Sequence, residues 1–231
     1  MIKYLLIISL IVSLHAKESG LEAFKAKDYN KAFQLYTKES NAGNAKSQSA
    51  LSYLYCNGLG TNKNIEKGVY WLKKAANNSN KTAQYDLGMM YLTGYNVNKD
   101  SKKAFSWLEK ASNNGHNDAK FNLALMYYNG DFVDQNATKS VELLDSAAEN
   151  GHKAAKNNVG RIYMQLINYD KAAYWLEKNA QDGDINAYYF LGEIYCAQEK
   201  YEKAKLWVTK SIETGNPDAQ KLWKSCELAK H

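Results

Sequence analysis

Residues 83–91 read Ala-Gln-Tyr-Asp-Leu-Gly-Met-Met-Tyr, and residues 103–108 read Lys-Ala-Phe-Ser-Trp-Leu. When the sequence is aligned with itself, both stretches recur with related residues every 36 positions, and after 32 positions towards the C-terminus. The last tyrosine of the first stretch recurs in this way, as Tyr55, Tyr91, Tyr127, Tyr163 and Tyr195. Self-similarity at this period is typical of helix pairs that stack on one another.

Several further columns keep the same step. In the first stretch they are a small residue (Ser47, Ala83, Ala119, Ala155, Ala187, Ala219), a leucine or valine (Leu51, Leu87, Leu123, Val159, Leu191) and a second small residue (Ser52, Gly88, Ala124, Gly160, Gly192). With the tyrosine, these columns lie at offsets 0, 4, 5 and 8, which share one helical face. We predict that this face is buried and that the second small residue lets a partner helix approach closely.

The second stretch supplies the other half of each unit. Its columns are Leu35, Trp71, Trp107, Leu143, Trp175 and Trp207, with Leu72, Leu108, Leu144, Leu176 and Val208 beside them, and we predict that both fill the space opposite the first helix. Three glycines 36 residues apart are predicted to end the first helices: Gly58, Gly94 and Gly130. Asn64, Asp100 and Asn136 occupy the N-cap position of the second helices.

These columns resemble the Sel1-like repeat, and the shortened loops after residue 153 resemble the related tetratricopeptide repeat. The resemblance implies an all-α fold, an α/α solenoid that winds as a right-handed superhelix of about six helix pairs with a C-terminal capping helix. The predicted repeats are residues 17–43, 44–80, 81–116, 117–152, 153–184 and 185–216, and the cap is residues 217–231.

The first sixteen residues predict export. A cationic start at residues 1–3 precedes an apolar run over residues 4–14, which is long enough for a signal peptide and short for a membrane span. Cleavage after Ala16 would leave residues 17–231 in the periplasm or secreted, without membrane insertion; an uncleaved anchor is the alternative.

The charge balance argues against nucleic acid as a partner. The chain has 30 Lys+Arg and 24 Asp+Glu, a net charge of +6, and Arg161 is its only arginine. Bidentate recognition of bases and phosphates favours arginine, so the lysines are interpreted as a solvated surface.

A second face of the first helices carries the predicted binding site. Offsets 2, 6 and 9 from the first small residue share an exposed face, which in solenoids of this resemblance lines the concave groove. The predicted groove residues are Tyr53, Tyr85, Met89, Leu92, Phe121, Leu125, Tyr128, Asn157, Arg161, Met164, Tyr189 and Glu193. Their aromatic and apolar content suits an extended peptide or a protein, while packing of these side chains against each other is the alternative interpretation.

Patterns that indicate catalysis are missing from the sequence. Nucleophile, metalloprotease, phosphate-binding and Cys-x-x-Cys motifs are absent, so we predict no catalytic residues, no metal and no cofactor. His116 and His152 follow equivalent glycines 36 residues apart and are interpreted as turn residues.

The three cysteines separate this chain from a related branch. Exported Hcp proteins, the cysteine-rich branch of the Sel1-like family, bind or slowly hydrolyse β-lactams and carry cysteine pairs seven residues apart. This chain has no such pair, so β-lactam binding or weak β-lactamase activity is retained only as the alternative function. Cys196 and Cys226 lie near the ends of consecutive first-type helices and could form a disulfide, which would leave Cys56 free.

Residues 134–138, Asp-Gln-Asn-Ala-Thr, resemble the acidic glycosylation sequon of bacterial oligosaccharyltransferases, which makes Asn136 a candidate glycosylation site. Together these features predict a monomeric periplasmic scaffold or adaptor that binds a protein or peptide. A protein that self-assembles through uncapped ends is a further alternative, which the polar C-terminal region disfavours.

Overall fold

The computed structural model describes residues 19–230, which form thirteen α-helices. They divide into two compact units, of which the first ends at Asn114 and the second begins at Gly115. The predicted signal peptide, residues 1–16, lies outside the described residues. Between residues 19 and 230, no helix combines the length and the apolar content that crossing a bilayer requires.

The first unit contains three consecutive helix pairs. Their helices are α1 (Gly20–Lys25), α2 (Tyr29–Asn41), α3 (Ala45–Asn57), α4 (Ile65–Asn77), α5 (Lys81–Thr93) and α6 (Ser101–Asn113). The odd-numbered helix of each pair is called the A helix, and the even-numbered one the B helix. Each A helix packs on its own B helix, and α2 and α4 pack on the next A helix as well. This is the stacking that the 36-residue period predicts.

The second unit continues the pattern with three more pairs and a final helix. Its helices are α7 (Asn117–Asn129), α8 (Ala137–Glu149), α9 (Lys153–Gln165), α10 (Tyr169–Gln181), α11 (Asn186–Ala197), α12 (Tyr201–Glu213) and α13 (Ala219–Ser225). Residues 58–64 join α3 to α4, whereas only residues 166–168 join α9 to α10, so the shorter period arises in this loop. The predicted all-α class and the consecutive helix pairs are confirmed.

The helix ends follow the predicted capping residues. Gly58, Gly94 and Gly130 adopt φ values of 69°, 81° and 76°, the left-handed conformation that terminates an A helix. The Asn64 side chain accepts a hydrogen bond from the Lys67 backbone N at 2.9 Å at the start of α4. Asp100 and Asn136 cap α6 and α8 in the same way, at 2.9 and 2.8 Å.

The buried columns form the core of each unit. The first small residue and the leucine or valine column are at most 3% exposed, and so is the B-helix leucine column except at Leu72, which is 6% exposed. Added to Gly88, a Cβ would lie 2.9 Å from Leu108 Cγ, and at Gly160 it would lie 2.9 Å from Leu176 Cγ. The predicted close approach of A and B helices at these small residues is therefore confirmed.

The tryptophan column departs from its prediction. Only Trp175 is buried, at 3% exposed, whereas Trp71, Trp107 and Trp207 are half-buried. The B-helix leucines fill the contact with the A helix. The tryptophan column directly precedes them in sequence, so its side chains point towards the edge of the stack. The tryptophans therefore remain in contact with solvent at three positions.

Candidate interaction surfaces

The twelve predicted groove residues lie at the surface or near it. Tyr53, Asn157 and Arg161 are exposed, and the other nine are half-buried. None belongs to the core, which agrees with the face assigned to them. Burial alone, however, does not bring them together, and the number of them that line a cavity differs between the two units.

Four of the twelve line one cavity in the second unit. Leu125 and Tyr128 reach it from α7, and Arg161 and Met164 reach it from α9. The cavity has a volume of about 530 Å³, and Asn158, Ile162, Gln165 and Phe190 complete its wall. Three successive A helices thus contribute to one concave surface that combines apolar side chains with a guanidinium group.

Hydrogen bonds orient the polar side chains of this cavity. The Tyr128 hydroxyl donates to Gln165 Oε1 at 3.1 Å, which joins α7 to α9 across the cavity. Arg161 Nη2 donates to Asn158 Oδ1 at 3.2 Å on the same helix, which leaves its other N–H groups for a ligand. Such a guanidinium can pair with a carboxylate through two parallel hydrogen bonds.

The other predicted residues of the second unit lie outside this cavity wall. The Phe121 ring stacks on the His152 ring with centroids 4.8 Å apart, so it packs against a repeat turn. Tyr189 is hydrogen-bonded to Glu193, and burial together with this carboxylate raises the pKa of the tyrosine to about 12. Asn157 is exposed and does not line the cavity.

A larger cavity, of about 990 Å³, lies in the first unit. Its wall contains large apolar side chains that are well exposed, with Leu21 at 51%, Tyr53 at 53% and Tyr95 at 68%. Phe24 and Tyr53 meet edge to face with their ring centroids 6.1 Å apart. Of the predicted groove residues, only Tyr53 lines this cavity; Tyr85, Met89 and Leu92 do not.

Ionisable groups also line the first-unit cavity. Desolvation raises the pKa of Asp86, which favours its neutral form relative to an exposed carboxyl. Cys56 forms no disulfide. Burial raises the pKa of its thiol, which makes the thiol less reactive than an exposed one. The Glu39 carboxylate accepts a hydrogen bond from the Ser47 hydroxyl.

Sequence reasoning missed most of the first-unit cavity. Leu21 and Phe24 belong to the short helix α1, where the repeat columns are weak, and Tyr95 follows the helix-ending Gly94. Met90 and Asp86 lie on α5 at offsets other than those chosen for the groove. An aromatic residue next to the terminating glycine was the one local signal available for Tyr95.

The remaining predicted site residues lie at the ends of helices. Cys196 and Cys226 are joined by a disulfide, with their Cα atoms 6.0 Å apart, and it connects the end of α11 to the end of α13. Asn136 is exposed, and its Oδ1 is the acceptor of the α8 cap. His152 caps α9 by accepting from the Ala155 backbone N at 3.0 Å, which is a turn role as predicted.

Across residues 19–230, no group of three or more His, Cys, Asp or Glu side chains is placed to hold a metal ion. The fold and these surfaces define a class of protein, the helix-pair repeat proteins, which generally act as scaffolds for protein–protein interaction. Within this class the chain belongs to the Sel1 repeat family, whose profile matches residues 16–44, 45–80, 81–116, 117–152 and 153–184.

Solved structures show the same relationship. The chain is 28% identical to a Sel1 repeat protein from Oxalobacter formigenes, with a TM-score of 0.68 over 88% of this chain and 87% of that one. It is also 28% identical to c5321, a protective antigen of uropathogenic Escherichia coli with an SLR fold, with a TM-score of 0.57 over 85% of this chain and 44% of that one.

The fold extends to tetratricopeptide proteins. YrrB, described as a tetratricopeptide protein with an unusual peptide-binding site, matches at 22% identity with a TM-score of 0.51, over 83% of this chain and 97% of that one. A comparison with the curated proteins gives no match.

Proposed function

We propose that this protein is an exported interaction scaffold or adaptor that binds a partner polypeptide on the exposed faces of its A helices. The observation that carries the proposal is the second-unit cavity, where four of the predicted residues meet. Leu125, Met164 and Phe190 offer a pocket for an apolar side chain, and Arg161 offers a partner for a carboxylate beside it. A peptide with an apolar anchor next to an acidic residue fits this chemistry.

Site-specific photocrosslinking tests the proposal. A photoreactive amino acid at Leu125 should capture a partner in the envelope of the native host, whereas the same group at Glu142, exposed on α8, should not. With the captured partner purified, Arg161→Ala should weaken binding about tenfold or more, because a hydrogen bond to a charged group is lost. Lys153→Ala, exposed on the same helix, serves as the matched control.

Two results would contradict this assignment. Equal capture from Leu125 and Glu142 would show that the cavity does not select the partner. Unchanged affinity in Arg161→Ala, at an unchanged unfolding temperature, would remove the proposed carboxylate contact.

Export is the second part of the proposal and rests on the cationic start and apolar run of residues 1–14. In the periplasmic fraction of the native host, mass spectrometry should find a chain that begins at Lys17. A cytoplasmic chain that retains Met1 would contradict export.

Glycosylation at Asn136 is compatible with its capping role. The cap uses Oδ1, whereas an N-linked glycan is attached to Nδ2, and the side chain is exposed. A glycopeptide that contains Asn136 is therefore expected after expression in the native host. Thr138→Ala keeps the cap and removes the sequon, so a glycan that persists in this variant would contradict the assignment.

A further inference from the structure

Two equivalent clefts lie one repeat apart in the first unit. The first, of about 390 Å³, is lined by Gln48, Trp71, Lys74 and Asn78, among others. The second, of about 280 Å³, is lined by Gln84, Trp107, Lys110 and Asn114, each 36 residues after its counterpart. We call this pair the twin clefts. They lie between one B helix and the following helix pair, and their linings share no residue with that of the first-unit cavity.

A pair of side-chain amides forms the wall of each cleft. Asn78 Nδ2 donates to Gln48 Oε1 at 2.9 Å, and Gln48 Nε2 donates to the Ser40 backbone O at 3.1 Å. In the second cleft Asn114 and Gln84 repeat this arrangement at 2.8 and 3.1 Å, with the Ala76 backbone O as the acceptor. Both glutamines are only 3% exposed, so these walls are fixed by the fold.

Each cleft also presents an ammonium group beside a half-buried indole. Lys74 Nζ lies 5.6 Å from the Trp71 ring centroid, and Lys110 Nζ lies 4.2 Å from that of Trp107. Within the described part of the chain, neither ammonium has a carboxylate within ion-pair distance. In the first cleft the hydroxyl of Ser40, which is 2% exposed, has no hydrogen-bond partner.

The last two equivalent positions, in the second unit, lack this amide pair. Lys156 and Asp182 replace the glutamine and asparagine with an ion pair, and Trp175 is 3% exposed with its Nε1 donating to Asp145. One repeat later, the Tyr188 ring stacks on Trp207 with centroids 5.6 Å apart. The glutamine–asparagine pair beside the tryptophan and lysine is therefore a property of particular repeats and not of the repeat pattern itself.

We propose that the twin clefts bind an acidic, extended segment of a partner polypeptide, with one carboxylate side chain in each cleft. Ammonium, amide N–H and hydroxyl groups are donors that suit carboxylates, and the net charge of +6 favours an acidic partner. Because the two clefts are equivalent positions of successive helix pairs, an extended chain that runs past both can present one carboxylate to each. This site is separate from the surface proposed above.

Fluorescence anisotropy with synthetic peptides and the full chain tests the proposal. The probe is a labelled proline-rich peptide with two glutamates in its extended segment, and its controls carry two glutamines, or one glutamate and one glutamine, at the same positions. The first peptide should bind most tightly. Lys74→Gln and Lys110→Gln should each weaken its binding about tenfold, because each removes a charged contact.

Lys178→Gln is the matched control variant, because Lys178 Nζ lies 4.9 Å from the Trp175 ring centroid at a position without the amide pair. It should leave the affinity unchanged. The proposal is overturned if the diglutamine peptide binds equally well, if the lysine variants bind like wild type, or if one glutamate binds as tightly as two. Binding of an oligogalacturonate, an acidic glycan, without binding of the peptide would also overturn it.

Discussion

Gly88→Ala tests the close contact between α5 and α6. In an open helix interior, this change stabilises a protein by about 0.5–1 kcal/mol, because alanine loses less backbone entropy on folding. Here the added Cβ would lie 2.9 Å from Leu108 Cγ and 3.2 Å from the Leu108 backbone N. Both atoms are close to the main chain of a fully buried residue, so neither can move aside without shifting α6.

The two effects oppose each other, and their sizes decide the outcome. Overpacking a core costs about 1–3 kcal/mol, which exceeds the helix-propensity gain of at most about 1 kcal/mol. We therefore expect Gly88→Ala to lower the free energy of unfolding by about 1–2 kcal/mol. Urea denaturation of the full chain, followed by far-UV circular dichroism, measures this difference.

A double-mutant cycle separates the contact from other effects. Leu108→Ala alone should cost about 2–5 kcal/mol, because it leaves a cavity. In that background the methyl group of Gly88→Ala has room, so the substitution should be neutral or stabilising. Stabilisation by Gly88→Ala in the wild-type background, or the same effect in both backgrounds, would refute the close approach.

Three further changes have expected outcomes. Asn64→Ala should lower the free energy of unfolding by about 1 kcal/mol, because the α4 cap is lost. Asn64→Ser should retain most of this stability, because serine can also cap a helix; urea denaturation measures both. Cys196→Ser opens a 30-residue link to Cys226 and should destabilise by up to about 3 kcal/mol, with faster hydrogen exchange in α13. The pKa of Tyr189, about 12 when folded, lies above that of an unfolded tyrosine, so stability should fall as the pH rises from about 10 to 12; Tyr189→Phe should reduce this fall.

Each of these expectations has a result that would contradict it. Equal stability of the alanine and serine variants would show that the Asn64 side chain does not cap α4. Unchanged exchange in α13 after loss of the disulfide would show that packing alone holds this helix. A pH dependence that is identical in wild type and Tyr189→Phe would show that this phenol does not contribute.

The scaffold proposal and the twin-cleft proposal depend on different residues. The second-unit cavity depends on Arg161 and on apolar side chains of three A helices, whereas the twin clefts depend on lysines and amides of the first unit. Arg161→Ala should therefore leave the affinity for the diglutamate peptide unchanged, and Lys74→Gln should leave capture at Leu125 unchanged. The two proposals can fail separately.

Periodicity and local chemistry were sufficient to predict the helix pairs, their ends and most of the core. A helix face follows from residue spacing alone, and a capping glycine or asparagine acts within a few residues of its own position. For this reason Gly58 and Asn64 could be assigned from the sequence, as could the buried leucine column.

The surfaces were decided by tertiary structure. All twelve groove positions lie on the same helix face, yet only five of them line the two cavities described for the units, because the lining depends on how far apart neighbouring helices lie. The Gln48–Asn78 hydrogen bond likewise depends on packing between residues 30 positions apart, and the half-burial of three tryptophans depends on how the helices pack. Spacing along the chain specifies the direction in which a side chain points, whereas the side chain that it meets is specified only when the helices have packed.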